Sequence, residues 1–149
     1  DVVHRDFTPD NLILNSQGKL KLIDFNVAQQ IQEGNSGTIV GKHAYLPPEQ
    51  FRGKACAGSD LYSMGASLFY LLTGKDPEPI SQAQPRLHKE ELSEGMNALV
   101  SKATALQLNR RYQSAKEIES DLLSLHEPAS DSYIDTSSID SSSKTQDGI

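Results

Sequence analysis

Asp6 stands five residues before Asn11, inside the run His4-Arg5-Asp6-Phe7-Thr8-Pro9-Asp10-Asn11. Thirteen residues past Asn11 comes Asp24, at the head of Asp24-Phe25-Asn26, and 25 residues further lies Glu49, closing Pro47-Pro48-Glu49. Carboxylates accept or orient protons. Carboxylate and amide oxygens are also the donors that hard cations such as magnesium take. Each triplet alone reads as a surface ion pair or a turn; three in one order, at these gaps, form a constellation.

The elements that must position these groups can be read from the hydrophobic pattern. Leu12-Ile13-Leu14, then Asn15-Ser16-Gln17-Gly18, then Leu20-Lys21-Leu22-Ile23 predicts a short β-hairpin, with Gly18 able to supply φ > 0 in the turn. Asn26 to Lys42 loses periodicity, carries Gly34, Gly37 and Gly41, and reads as a long mobile loop of the functional kind. Ser59 to Thr73 predicts an apolar helix for the interior, with Leu61, Tyr62, Met64, Leu68, Phe69, Leu71 and Leu72 spread around it. Ser59 or Asp60 suits its N-cap region and Gly74 its C-cap. Pro77, Pro79 and Pro85 then enforce an extended connection, and amphipathic helices follow near Ser93 to Leu106 and Ser114 to His126. In the first of these, Met96, Leu99, Val100 and Ala103 fall at core spacing. From Glu127 onward Ser and Asp dominate, with Ile134-Asp-Thr-Ser-Ser echoed by Ile139-Asp-Ser-Ser-Ser, the composition of a disordered linker.

Bulk properties narrow the partners. Net charge is −6, so neither nucleic acid nor an anionic membrane is an expected partner. No run approaches the roughly 20 apolar residues of a membrane span. No charged-then-apolar leader is present, and the single cysteine, Cys56, has no internal disulfide partner; it reads as a small loop residue. These features predict a cytoplasmic setting. The start at Asp1 reads as an excerpt of a longer protein.

The three motifs, in order, resemble the catalytic loop, magnesium-binding triplet and Ala-Pro-Glu segment of the protein kinase family, of the bacterial serine/threonine type. The resemblance implies a mainly α fold (α+β overall): a kinase-like C-terminal lobe with a short β-hairpin at the catalytic loop, an apolar central helix and no N-terminal lobe. Residues 1–126 would form the lobe and 127–149 the linker. It implies ATP and magnesium as cofactors, with manganese as an alternative, and a protein substrate. Asp6 would orient the substrate hydroxyl or accept its proton. Asn11 and Asp24 would hold magnesium against the nucleotide, and Ile13 would form part of the adenine floor. Asp60, in Ser59-Asp60-Leu61-Tyr62-Ser63-Met64-Gly65, would take hydrogen bonds from the catalytic-loop backbone. Arg111, in Arg110-Arg111-Tyr112-Gln113-Ser114-Ala115, would pair with Glu49. Arg5 would receive a phosphate on Thr38, or on its neighbour Ser36, because a guanidinium fork matches phosphate oxygens. Glu49-Gln50-Phe51 and the last two helices carry the bacterial-type likeness. Thr8-Pro9-Asp10 does not match the Ala/Arg pattern of tyrosine kinases.

Three departures stand out. The family's usual lysine two positions after the catalytic aspartate is Thr8, and the usual threonine after Gly41 is Lys42. The two residue types look exchanged, so that Lys42 delivers the ammonium and Thr8 the hydroxyl; two independent losses are the alternative. Asn26 replaces a glycine and tolerates the left-handed region better than most residues. Gly34, Gly37 and Gly41 neither follow a strand nor open a helix, so they form no phosphate loop. The chain would thus supply one wall of an ATP cleft, expose apolar surface and, alone, be inactive. A pseudokinase-like scaffold or a gene remnant are the competing readings.

Overall fold

The computed structural model describes residues 2–25, 29–30 and 42–125, with only the backbone of 29–30. Asn26, Ser36, Thr38 and the segment 127–149, with the roles expected of them, lie outside the described residues.

The hairpin forms as its pattern dictates. Strand β2 (Leu12–Leu14) pairs antiparallel with β3 (Leu20–Leu22), Leu12 opposite Leu22 and Leu14 opposite Leu20. The turn is closed by Asn15, whose side-chain oxygen accepts from the backbone N–H groups of Gln17 and Lys19, while Gly18 adopts φ +75°. A second pairing was not legible: β1 (Val2–Val3) runs antiparallel to β4 (Gln29–Gln30), inside the stretch that reads as a loop without a strand. Two polar residues at an edge give no alternation, so the ladder alone defines that strand.

Helix α1 (Pro48–Phe51) starts with proline at its first turn, where a missing N–H costs nothing. Helix α2 (Ala57–Thr73) begins two residues earlier than its apolar pattern suggests. Its N-cap is Cys56, not Ser59 or Asp60; Ser59 lies in the first turn and accepts from the Cys56 N–H with its Oγ at 3.0 Å. Gly74 ends it at φ +71°, a left-handed C-cap. The connection that follows holds a 3-10 turn, Pro85–Leu87. Helix α3 (Glu94–Ala103) is capped by Ser93, whose Oγ accepts from Met96 N, and α4 (Ala115–Ser124) by Ser114, whose Oγ accepts from Glu117 N. Both are shorter at their C-terminal ends than their periodicity predicts.

The core lies around α2. Leu99, Ala103, Tyr112 and Ile118 pack with Leu61, Met64 and Leu68; Tyr45, Tyr62 and Ala66 form a second cluster; Phe69, Ala83 and Val100 form a third. Gly65 lets α2 approach α3: a Cβ there would sit 2.6 Å from the Ala103 Cβ. The opposite end of α2 is less covered, with Leu71 61% exposed and Tyr70 also at the surface. Ile13, Leu14, Leu20, Ile23 and Phe25 are exposed on and beside the hairpin. Among the described residues no helix is long and apolar enough to cross a membrane.

Candidate active site

Three buried serines, Ser59, Ser63 and Ser67, follow one another at every fourth position along α2, and each holds a different piece of the site. Ser59 Oγ donates to Glu49 Oε1 at 2.9 Å, Ser63 Oγ to the Tyr45 carbonyl at 2.7 Å, and Ser67 Oγ to the Phe7 carbonyl at 3.1 Å. Serines at i, i+4 and i+8 share a helix face. That spacing was visible in the sequence, but its partners were not. Next to Ser59, Asp60 accepts from the backbone N–H of His4 at 2.7 Å and of Arg5 at 2.9 Å. The helix thereby fixes the loop from beneath.

The loop needs such support because Arg5 sits at φ +70°. A left-handed conformation costs a residue with a Cβ on the order of 1–3 kcal/mol and persists only where neighbours over-determine it. Asp60 holds one side of Arg5. On the other side Gln50 Nε2 donates to the Arg5 carbonyl at 2.5 Å. His4 adds a third tie: its Nδ1 accepts from Asp6 N at 3.3 Å, which leaves Nε2 to donate to the Ile23 carbonyl at 3.0 Å. Its ring also meets Phe25 edge-on, with centroids 4.7 Å apart.

Asp6 itself is held by Asn11. The Asn11 amide donates to the Asp6 carbonyl at 2.8 Å and to Asp6 Oδ2 at 2.9 Å. Both amide hydrogens are then committed, and the Asn11 Oδ1 is the atom left for a cation. The 3-10 turn Pro9–Asn11 presents Asn11, its N–H bonded to the Thr8 carbonyl at 3.0 Å. The hairpin register does the rest: Ile23 N donates to the Asn11 carbonyl at 2.9 Å, so Asp24 follows directly on the residue paired with Asn11. Asp24 is exposed and takes φ +60°, a conformation aspartate tolerates better than most residues. Ile13 lies on the same hairpin, 47% exposed. An amide oxygen and an exposed carboxylate fit magnesium, which binds through few protein oxygens with phosphates and water completing its shell.

Lys42 ends up at the same loop. Its Nζ pairs with Asp10 Oδ2, the residue beside Asn11, and both side chains remain exposed. Its pKa is raised by that hydrogen bond first, against an opposing desolvation, and is raised further by the charges of Asp10, Asp76 and Asp6. Asp76 also takes a hydrogen bond from Tyr45 Oη. Burial, then this bond, pushes the Tyr45 hydroxyl well above the ordinary tyrosine range. Thr8 and Arg5 are buried in the loop. Glu49 and Arg111, 62 residues apart, form an ion pair at 2.7 Å, and the guanidinium also donates to the Ala105 and Gly58 carbonyls. Sequence reasoning named neither the serine face nor Gln50, Tyr45 and Asp76 as parts of this assembly.

Comparison with known proteins matches residues 1–131 to the family described as protein kinase domain. The serine/threonine-protein kinase PknB of Mycobacterium tuberculosis (strain ATCC 25618 / H37Rv) is 37% identical over 144 residues, covering 84% of this chain and 23% of the relative. A probable serine/threonine-protein kinase of Streptomyces coelicolor is 35% identical over 142 residues, covering 81% and 21%. The serine/threonine-protein kinase PknA of a Nostoc species is 35% identical over 133 residues, covering 78% and 23%. The chain thus spans less than a quarter of the length of these relatives.

Proposed function

The chain belongs to the protein kinase family, and we propose that it forms the catalytic wall of an ATP-dependent kinase that phosphorylates serine or threonine in proteins. The observation that carries this reading is the pair of hydrogen bonds from the Asn11 amide to Asp6, which orients the carboxylate and leaves one amide oxygen for a cation. Asp6 orients the acceptor hydroxyl and takes its proton. Asn11 and Asp24 would hold magnesium, and Ile13 would form part of the adenine floor. Magnesium and ATP, when bound, supply charge neutralisation and the transferable phosphoryl group.

Lys42 supplies the ammonium that Thr8 lacks. The pairing with Asp10 supports this by bringing the charge to the catalytic loop. A lysine acts on phosphate as a mobile point charge, so it can serve from there. Arg5 receives a phosphate on Thr38 or Ser36 and links phosphorylation to the loop that carries Asp6. Asp60, Glu49 and Arg111 hold the frame. The protein works in the cytoplasm on a protein substrate, without nucleic acid. This chain supplies one wall of the cleft.

The test is phosphoryl transfer from ATP to a serine/threonine acceptor by the full-length protein, with Asp24→Ala as control. Magnesium-dependent transfer that Asp24→Ala abolishes is expected. No transfer, with binding partners retained, would instead favour a pseudokinase-like scaffold, the reading that the threonine at position 8 keeps in play.

A further inference from the structure

We infer that Gln50 is a positioning residue for Asp6, acting through the peptide unit between Arg5 and Asp6; the inference rests on the reading of Asp6 as the catalytic carboxylate. A peptide unit is rigid, so the Arg5 carbonyl and the Asp6 N–H move together. The structure pins that unit at both edges. Gln50 Nε2 donates to the Arg5 carbonyl, and Asp6 N donates to His4 Nδ1. The two preceding units are fixed separately, because Asp60 holds the N–H groups of His4 and Arg5.

Asp60 alone therefore leaves one rotation open. Turning the Arg5–Asp6 unit about its flanking bonds changes ψ of Arg5 and φ of Asp6, and the second change swings the Asp6 side chain. Asp60 holds the left-handed φ of Arg5, so ψ of Arg5 and φ of Asp6 are the angles that come free if nothing holds the carbonyl. Gln50 is 1% exposed, and it comes from the segment 45 residues further along the chain. Its own place is set by its neighbour: Glu49 is locked to Arg111, and Gln50 N bonds to the Pro47 carbonyl at 3.1 Å. The glutamine thus carries the Glu49–Arg111 anchor to the loop that holds Asp6, and helix α1 sets the angle of the catalytic carboxylate.

The experiment uses the full-length kinase with Gln50→Met, which keeps side-chain length but cannot donate, and Gln50→Leu, which is close in volume and cannot donate either. Both should lower kcat about ten- to a hundredfold, the range of a misplaced catalytic group, with KM for ATP and acceptor within about twofold. Amide hydrogen exchange at Asp6 should accelerate at least about tenfold, while that of Leu99 in α3 stays unchanged. A kcat within twofold of wild type, an unchanged Asp6 exchange rate, or loss of folding in both variants makes Gln50 a packing residue and overturns the inference. Asp6→Asn is run beside them. If it abolishes transfer while the Gln50 variants behave as wild type, only the Gln50 inference fails; if Asp6→Asn retains full turnover, the reading of Asp6 fails instead.

Discussion

Replacing Arg111 by methionine should destabilise the protein far more than replacing Glu49 by glutamine, although each breaks the same ion pair. The asymmetry follows from what each change leaves behind. With Arg111→Met, the Glu49 carboxylate stays buried with the Ser59 hydroxyl as its remaining hydrogen-bond donor among the contacts described. An uncompensated buried charge of this kind costs about 3–5 kcal/mol. With Glu49→Gln, the guanidinium keeps the Ala105 and Gly58 carbonyls and its place over the Tyr62 ring, 5.1 Å from the centroid. The loss is then about 1–3 kcal/mol, the range for a hydrogen bond to a charged group. Urea titration of the full-length protein followed by circular dichroism reads the difference. At a slope of about 2 kcal/mol per molar, a 2 kcal/mol gap separates the two midpoints by about 1 M. The double variant should fall short of the sum of the singles, because the second change removes a charge already stranded by the first. Equal midpoints for the two variants, or both within 0.3 M of wild type as estimated from the same slope, would refute the argument.

Other consequences are as direct. Gly65→Ala pushes a methyl to 2.6 Å from the Ala103 Cβ, and overpacking of this kind should cost about 1–3 kcal/mol, read as a lower Tm; an unchanged Tm would mean α2 and α3 can slide apart freely. Lys42→Ala should lower kcat well beyond the effect of changing a surface lysine such as Lys89, and unaltered turnover would end the idea that Lys42 replaces the missing loop ammonium. Tyr45, Tyr62 and Tyr112 all have pKa values raised above 10.0, chiefly by burial. A raised folded-state value means the folded protein holds its protons longer than the unfolded chain. The stability they contribute is therefore whole below pH 10 and declines as pH climbs beyond it. An alkaline absorbance titration should show these three ionising together with unfolding; their ionisation one by one in a protein that stays folded would contradict it.

The sequence made the order of the elements legible where a local pattern exists. Alternation and a glycine turn revealed the hairpin, and Gly74 marked the end of α2 because only a left-handed cap suits it there. Ser93 and Ser114 sit where serines start helices. What stayed hidden was long-range. Val2–Val3 finds its partner in Gln29–Gln30, and two glutamines carry no strand signature. The start of α2 was misplaced because Ser59, a good cap by type, is engaged as a first-turn acceptor for Cys56 N. The left-handed residues were likewise not predictable: Arg5 and Asp24 adopt φ > 0 under tertiary hydrogen bonds and register, not by propensity. Motif spacing pointed to Asp6, Asn11 and Asp24, but the serine face and Gln50, which hold the loop, act through backbone carbonyls that any sequence would supply.

The central claim, that Asp6 is held by Asn11 as the catalytic carboxylate of a serine/threonine kinase, is tested most directly by single-turnover phosphoryl transfer in the full-length protein. The measurement compares wild type with Asp6→Asn at saturating ATP and magnesium. The account predicts transfer to a serine or threonine hydroxyl in the wild type and a loss of at least about a hundredfold in Asp6→Asn, within the range of general base catalysis, with nucleotide affinity retained. Equal single-turnover rates in the two proteins would contradict it.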